Sequence, residues 1–407
     1  MAGPRTHAWA FARRFRAGAF GWKSQPAVTR VKEAVAEIMR VARRDPVLAA
    51  EGAVLFLEKV SPALQHVDSS SGAIGTAVNH AVDVLAALIA RAPADDAARD
   101  EWLERLWHAY VGDTIPYIER LGDHWGALCA TPARASRWAD RLLPTLRAAW
   151  ADRRPGGYFP GTPLCLSSLL AAGRCQELLD VLETAPFVWW ADRQWGVRAL
   201  AALERIEEAI TYARTSLGRN EGPGPMARLC EEILLAAGRA DEAYRGYAIE
   251  ANWGTSRLAT FRAIARKYPH KDGATILRDL IEATPGDEGK WFATAKDLEL
   301  LDLAVQLAHR SPCDPKTLNR AARDRATTDP AFVHEVALAS LRWLAEGWGY
   351  EITGLDVQAA YEAATSAARA LGCEEATRAR ILALVKGDRS PGALVSHVLR
   401  SRLGLAG

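Results

Sequence analysis

Apolar residues along this chain recur at helical spacing, and no segment shows a sustained apolar–polar alternation. The clearest unit runs from Arg228 to Glu250, RLCEEILLAAGRADEAYRGYAIE. Leu229, Ile233 and Ala236 share one face of a first helix. Gly238 follows, where a helix end favours a residue that tolerates the left-handed conformation. Ala240, Ala243, Tyr244, Tyr247, Ala248 and Ala251 then form the stripe of a second helix. Neither helix is long enough to stand alone in water, so the pair must stack on neighbours.

Similar stretches place Gly173, Glu204, Pro269, Glu299 and Pro330 where Gly238 stands, at successive spacings of 31, 34, 31, 30 and 31 residues. A period near 34 built from helix pairs is the mark of tetratricopeptide arrays. The full consensus is not met. Gly238-Arg-Ala-Asp-Glu-Ala-Tyr comes close to that family's turn and helix, and the other units are degenerate.

Upstream, Val28, Val31, Val35, Ile38 and Ala42 form one stripe, and Asp45-Pro46 ends it and opens the next helix. VLAAEGAVLFLEKV is apolar almost all round, which predicts deep burial. In RWADRLLPTLRAAW, Pro144 predicts a kink or break. RRPGGYFPGTP, residues 153–163, cannot sit inside a helix and reads as a boundary. The expectation is an all-α protein: a tetratricopeptide-like α-solenoid of helix pairs preceded by a helical domain. Its parts are a basic aromatic segment at 1–24, the helical domain at 25–152, a linker at 153–163, repeats at 164–347, and capping helices at 348–407.

Composition narrows the setting. Over 407 residues, 49% hydrophobic and 25% charged is ordinary for a globular protein. No apolar run is expected to reach the roughly 18 residues of a membrane span, so no membrane partner is anticipated. Six cysteines without a CxxC pair suit a reducing cytoplasm. Net charge is only +2, yet residues 1–44 hold ten Lys or Arg against Glu33 and Glu37. Such a head suits an anionic partner, nucleic acid included, or docking on the acidic body of its own chain. Residues 1–22 lack acids and superficially suggest a transit peptide, but no apolar stretch follows as in a secretory signal. Trp9, Phe11, Phe15, Phe20 and Trp22 favour a short amphipathic helix that caps the first helices.

Candidate chemistry is sparse. His334-Glu335 is not continued into HExxH, no two histidines share i, i+4 spacing, and GxSxG is absent. No catalytic residue, metal or cofactor is assigned. Ser69, Ser70, Ser71 and Gly72 would offer backbone N–H groups to an anion at a helix start, though a serine-rich helix cap is the commoner use. Trp189, Trp190 and Trp195, with Arg193 and Arg198 beside them, form a candidate partner groove; packing between helices is the competing reading. His270, Lys271, Asp287, Lys290 and Asp314, with Glu288 and Cys313, sit in corresponding turns of successive units. A solenoid would align those turns along one edge, where Cys313 with His270 would form a nucleophile pair.

Several blocks are similar to known sequences: FLEKVSPALQHVDSSSGAIGTAVN, YIERLGDHWGALC, ATFRAIARKYPHK, TPGDEGKWFATAKD, SPCDPKTLNRAARD and GWGYEITG. They resemble a family of all-helical bacterial proteins, mainly proteobacterial, to which no activity is assigned. The resemblance covers Phe20 to about Lys386 and implies a bacterial cytoplasmic setting, without carrying over any functional residue. The function expected is therefore a non-catalytic protein-binding scaffold. The alternatives are a nucleic-acid-associated protein using residues 1–44 and, third, a hydrolase on the polar turns.

Overall fold

The apolar stripes become helices, and among the described residues no strand forms. The computed structural model describes residues 7–151, 158–218 and 221–404. Its contacts divide into two compact units, Met1–Ile233 and Leu234–Gly407.

The first unit opens with α1 (Ser24–Ala42), α2 (Pro46–Ala63), α3 (Ala73–Arg91) and α4 (Asp96–Val111). It continues with α5 (Trp125–Leu128), α6 (Pro132–Ala151), α7 (Thr162–Ala171) and α8 (Cys175–Glu183). Then come α9 (Trp190–Ala202), α10 (Ile206–Thr215) and α11 (Gly224–Ala236), the last crossing the unit boundary. Starts follow the sequence signals: Asp45 accepts from the Leu48 N–H at 3.0 Å, with Pro46 in the first turn of α2. VLAAEGAVLFLEKV is the buried centre of α2, with Val54, Phe56, Leu57 and Val60 fully covered.

Of the kink or break expected at Pro144, the break does not occur, because α6 runs through it. Pro144 and Asp140 both lie on the exposed side, where water can take the carbonyl the proline leaves unpaired. Against expectation, α3 is long and apolar enough to cross a membrane. Its stripe of Ile74, Val78, Val82, Leu85 and Ile89 is buried, and it packs on α1 and α2 as a core helix does.

The core also runs across the expected boundary. Leu164, Cys165 and Leu169 of α7 share one cluster with Leu143, Leu146 and Trp150 of α6. Residues 152–157 of that boundary lie outside the described residues.

The head is docked on its own chain. Trp9, Phe11 and Phe15 are buried, and the rings of Phe11 and Phe15 stand edge-on to Phe56 at 5.7 and 5.1 Å. Glu37 accepts from the N–H groups of Ala10 and Phe11 at 2.8 and 3.1 Å. Among the described residues of the head, a 3-10 turn forms at Ala10–Arg13 in place of the expected amphipathic helix. Arg14 pairs with Glu33 at 3.0 Å. Trp22 stays exposed.

The turns carry a shared device. Gly173, Glu204, Gly238 and Glu299 all adopt positive φ, between 57° and 73°. At each, the next N–H reaches back to the carbonyl five residues before it: Arg174 to Leu169, Arg205 to Leu200, Arg239 to Leu234, Leu300 to Ala295. The left-handed residue itself donates to the carbonyl three before it, completing the Schellman pattern. In three turns the arginine pairs with a glutamate three residues on: Arg174 with Glu177, Arg205 with Glu208, Arg239 with Glu242. The other two anchors do not fit, because a proline cannot take positive φ. Pro269 follows the end of a helix at Lys267, and Pro330 opens a helix capped by Asp329.

The second unit comprises α12 (Ala240–Ala251), α13 (Arg257–Lys267), α14 (Gly273–Glu282), α15 (Phe292–Asp297) and α16 (Leu301–Arg310). It ends with α17 (Pro315–Asp324), α18 (Pro330–Ala345), α19 (Gly354–Leu371), α20 (Glu374–Lys386) and α21 (Leu394–Leu403). Leu338, Leu341, Val357, Ala360, Ile381 and Leu399 form the core shared by α18 to α21. The same pair of turn bonds recurs after α18 at Gly347 and after α19 at Gly372.

Candidate binding cleft

A cleft of about 990 Å³ opens in the first unit between the 3-10 turn Glu119–His124, α5, α7, α9 and the start of α11. Close packing sets its floor. The Gly126 N–H donates to Ser167 Oγ at 2.8 Å, and a Cβ at Gly126 would stand 2.4 Å from the Ser167 carbonyl oxygen. Only glycine lets α5 approach α7 this closely.

Trp190, Gln194, Trp195 and Arg198 line one wall from α9. Trp190 and Trp195 are only 8% and 5% exposed, so most of each ring fills the space between helices. The loop before α11 is pinned by Glu221. One of its oxygens accepts from the Trp190 N–H and the other from the Gly218 N–H, both at 2.8 Å. A carboxylate therefore satisfies an orphan donor at the start of α9.

The opposite wall is polar. Arg120, Asp123 and His124 line it, and Asp83, outside the lining, accepts from Arg120 at 2.5 Å and lies 2.8 Å from His124 Nε2. Burial acts against the Asp83 carboxylate, but those two partners outweigh it and hold the carboxyl below its usual range. Asp123 is reached by water yet stands among crowded cleft walls. That burial pushes its carboxyl up, against the pull of Arg120, His124 and Arg198. Arg198 pairs with Glu232 at 3.3 Å. Arg228 is exposed and has no ion-pair partner among the described residues.

No protein family, curated protein or solved structure matches this chain. The likeness to an all-helical bacterial family thus gains no support from those comparisons, and the site rests on its own geometry.

Of the groove residues expected from sequence, the cleft takes Trp190, Trp195 and Arg198 and leaves two out. Trp189 is half exposed and stacks on Phe187 at 5.3 Å, away from the lining. Arg193 turns to α10, where it donates to Tyr212 Oη at 2.7 Å. Arg120, Asp123, His124, Ser167, Glu221, Arg228 and Glu232 went unnoticed. They come from four separated stretches that periodicity does not join.

The other candidates have local partners. Asp68 accepts from the Ser70 N–H at 2.9 Å, so a carboxylate of the chain already occupies part of the Ser69–Ser70–Ser71–Gly72 loop. Gly72 precedes α3 with φ 70° and no side-chain cap. Lys271 and His270 face Asp241 at 2.9 and 3.8 Å. Asp287 pairs with Lys290 at 2.9 Å and Arg257 at 2.8 Å. Asp314 caps α17 by accepting from the Thr317 N–H at 2.9 Å. The second and third polar turns do meet, through Gly289 N–H to Ser311 Oγ at 2.8 Å and Glu288 to Arg310 at 3.3 Å. Cys313 is buried and its thiol is pushed up to about 12, which does not suit a nucleophile. Among the described residues no group of three or more His, Cys, Asp or Glu is placed to hold a metal ion.

Proposed function

We propose that the chain is a non-catalytic, helical-repeat binding protein of tetratricopeptide-like solenoid type, and that the cleft holds a segment of another protein. The repeat reading draws on the shared turn of Gly173, Glu204, Gly238 and Glu299 and its Arg–Glu pairs. The binding reading draws on one observation above the others: a large cleft with a tryptophan wall and balanced charge. Three arginines, Arg120, Arg198 and Arg228, face three acids, Asp123, Glu221 and Glu232. A polyanion would meet the acids as well as the arginines, whereas nucleic-acid sites are dominated by cations. A peptide segment offers both charges, backbone donors and an apolar side chain for the tryptophan edges. Its volume is at the upper end of the roughly 300–1,000 Å³ typical of ligand sites. The docked head, with Phe11 and Phe15 buried and Arg14 paired, weighs against a free basic arm for nucleic acid.

The test is selection of peptides from a random display library on the full chain, followed by titration. Ala191 is exposed on the lining, so Ala191→Trp narrows the cleft without removing a side-chain bond of the wall. The variant should fold normally and weaken a selected peptide at least tenfold. Selected peptides that bind Ala191→Trp unchanged would remove the cleft as the site.

A further inference from the structure

His334 lies in α18 and Cys373 immediately precedes α20, and packing of these two helices brings the side chains together. Cys373 Sγ is 3.9 Å from His334 Nε2. The other ring nitrogen, Nδ1, is 3.0 Å from Glu335 Oε1. A carboxylate only accepts, so Nδ1 carries the hydrogen, and in the neutral ring Nε2 is a bare acceptor. Arg380 donates to both oxygens of Glu335, at 2.8 and 3.1 Å. That bonding holds the Glu335 carboxyl down to about 2 against burial, with His309 and His334 adding to it. Glu335 thus stays anionic and fixes the tautomer.

Two groups compete for Nε2. Thr377 Oγ1 lies 2.8 Å from it, but its hydroxyl also has the Cys373 carbonyl oxygen at 2.9 Å. With Nε2 bare, the Thr377 hydroxyl donates to it at rest, and the lone pair passes to the Cys373 thiol when that hydroxyl rotates to the carbonyl oxygen; Thr377 Oγ1 also lies 3.7 Å from Cys373 Sγ. Cys373 also stands at the start of α20, whose first turn has no side-chain cap. Glu374 and Glu375 beside it are exposed to water, whereas His334 is buried.

The other five cysteines are buried, and burial pushes the thiols of Cys129, Cys165 and Cys313 up to about 12. A cavity of about 530 Å³ touches the neighbouring Thr377 and Glu374 but not Cys373. A bulky substrate therefore has no seat at the sulfur, whereas an electrophile of two heavy atoms needs none.

We propose that Cys373 is a peroxide-reactive thiol with His334 as its proton acceptor and Glu335 as the positioning residue. The thiol proton passes to Nε2. The thiolate attacks one oxygen of hydrogen peroxide, forming the S–O bond as the O–O bond breaks. The departing hydroxide takes the proton from the imidazolium and leaves as water. Sulfur is oxidised by two electrons to the sulfenic acid and the peroxide is reduced.

The test treats the full chain with hydrogen peroxide at pH 7, traps sulfenic acid with a dimedone-type reagent, and reads each cysteine by mass spectrometry. A peptide of residues 371–376 supplies the same thiol without its partners. Cys373 should be the site labelled, at least tenfold faster than the peptide. His334→Gln should reduce the rate to that of the peptide or below. Thr377→Val, which ends the competition for Nε2, should keep or raise it. A Cys373 rate no faster than the peptide, or trapping confined to another cysteine, overturns the proposal. So does a slowed Thr377→Val protein, an outcome readable even if His334→Gln fails to fold.

Discussion

A methyl group added at two glycines eight residues apart should shift stability in opposite directions. Gly238 has φ +73°, and a Cβ built there meets nothing within 4 Å. Space is thus not the issue; the backbone is. An L residue in the left-handed region costs about 1–2 kcal/mol. Alanine recovers about 0.5–1 kcal/mol by restricting the unfolded chain. Gly238→Ala should therefore lose about 0.5–1 kcal/mol. Gly246 lies inside α12, exposed, with ordinary φ and equally open space. There only the helix preference acts, and Gly246→Ala should gain about 0.8–1 kcal/mol. Glu204→Gly is the converse of the first change, since Glu204 holds φ +60° with an exposed side chain. It should gain about 0.5–1 kcal/mol by the same accounting. Urea unfolding followed by circular dichroism measures all three, provided the slope with denaturant is unchanged. If Gly238→Ala and Gly246→Ala shift the midpoint in the same direction, the shared left-handed turn is not what orders these helix pairs.

Three further perturbations probe the first unit. A Cβ at Gly52 would stand 2.2 Å from the Trp9 ring, so Gly52→Ala should cost about 1–3 kcal/mol or release the head; faster tryptic cleavage at Arg13–Arg16 reports the release. Burial pushes the Asp192 carboxyl up to about 6. A raised carboxyl contributes stability that is present below its unfolded value near 4 and lost as pH rises through 6. Asp192→Asn should therefore stabilise by about 1–2 kcal/mol at pH 7.5, after discounting for partial exposure and the favourable helix start, and by almost nothing at pH 4; melts at the two pH values decide this. Arg134 is buried and donates to Asp100 and Asp96 at 2.5 Å each and to the Cys129 carbonyl oxygen at 2.8 Å. Arg134→Ala should cost about 1–3 kcal/mol in urea unfolding, chiefly because it strands the buried Cys129 carbonyl oxygen, while water can take over at the exposed Asp96 and the half-exposed Asp100.

Local chemistry was the legible part of this chain. Gly173 and Gly238 announce their turns, and the periodic stripes around them announce the helices they join. Glu204 and Glu299 were placed by spacing alone, against their own preference, and the backbone does turn left-handed there. Pro269 and Pro330 misled because spacing ignores what a fixed φ forbids. Trp190, Trp195 and Arg198 shared one stretch and so were found together. Arg120, Asp123 and Glu221 belong to the same cleft only through tertiary packing, which no period records. The pairing of His334 with Cys373, 39 residues apart, was hidden for the same reason. Arg193 and Trp189 show the converse error: closeness in sequence does not fix which way a side chain turns.

Hydrogen–deuterium exchange of the full chain, with and without a display-selected peptide, tests the central claim most directly. Binding in the cleft predicts slowed exchange in 119–128, at the start of α9 and in 221–229, with residues 7–44 unchanged. Protection confined to residues 7–44, or to the second unit, would contradict the assignment of the cleft as the partner site.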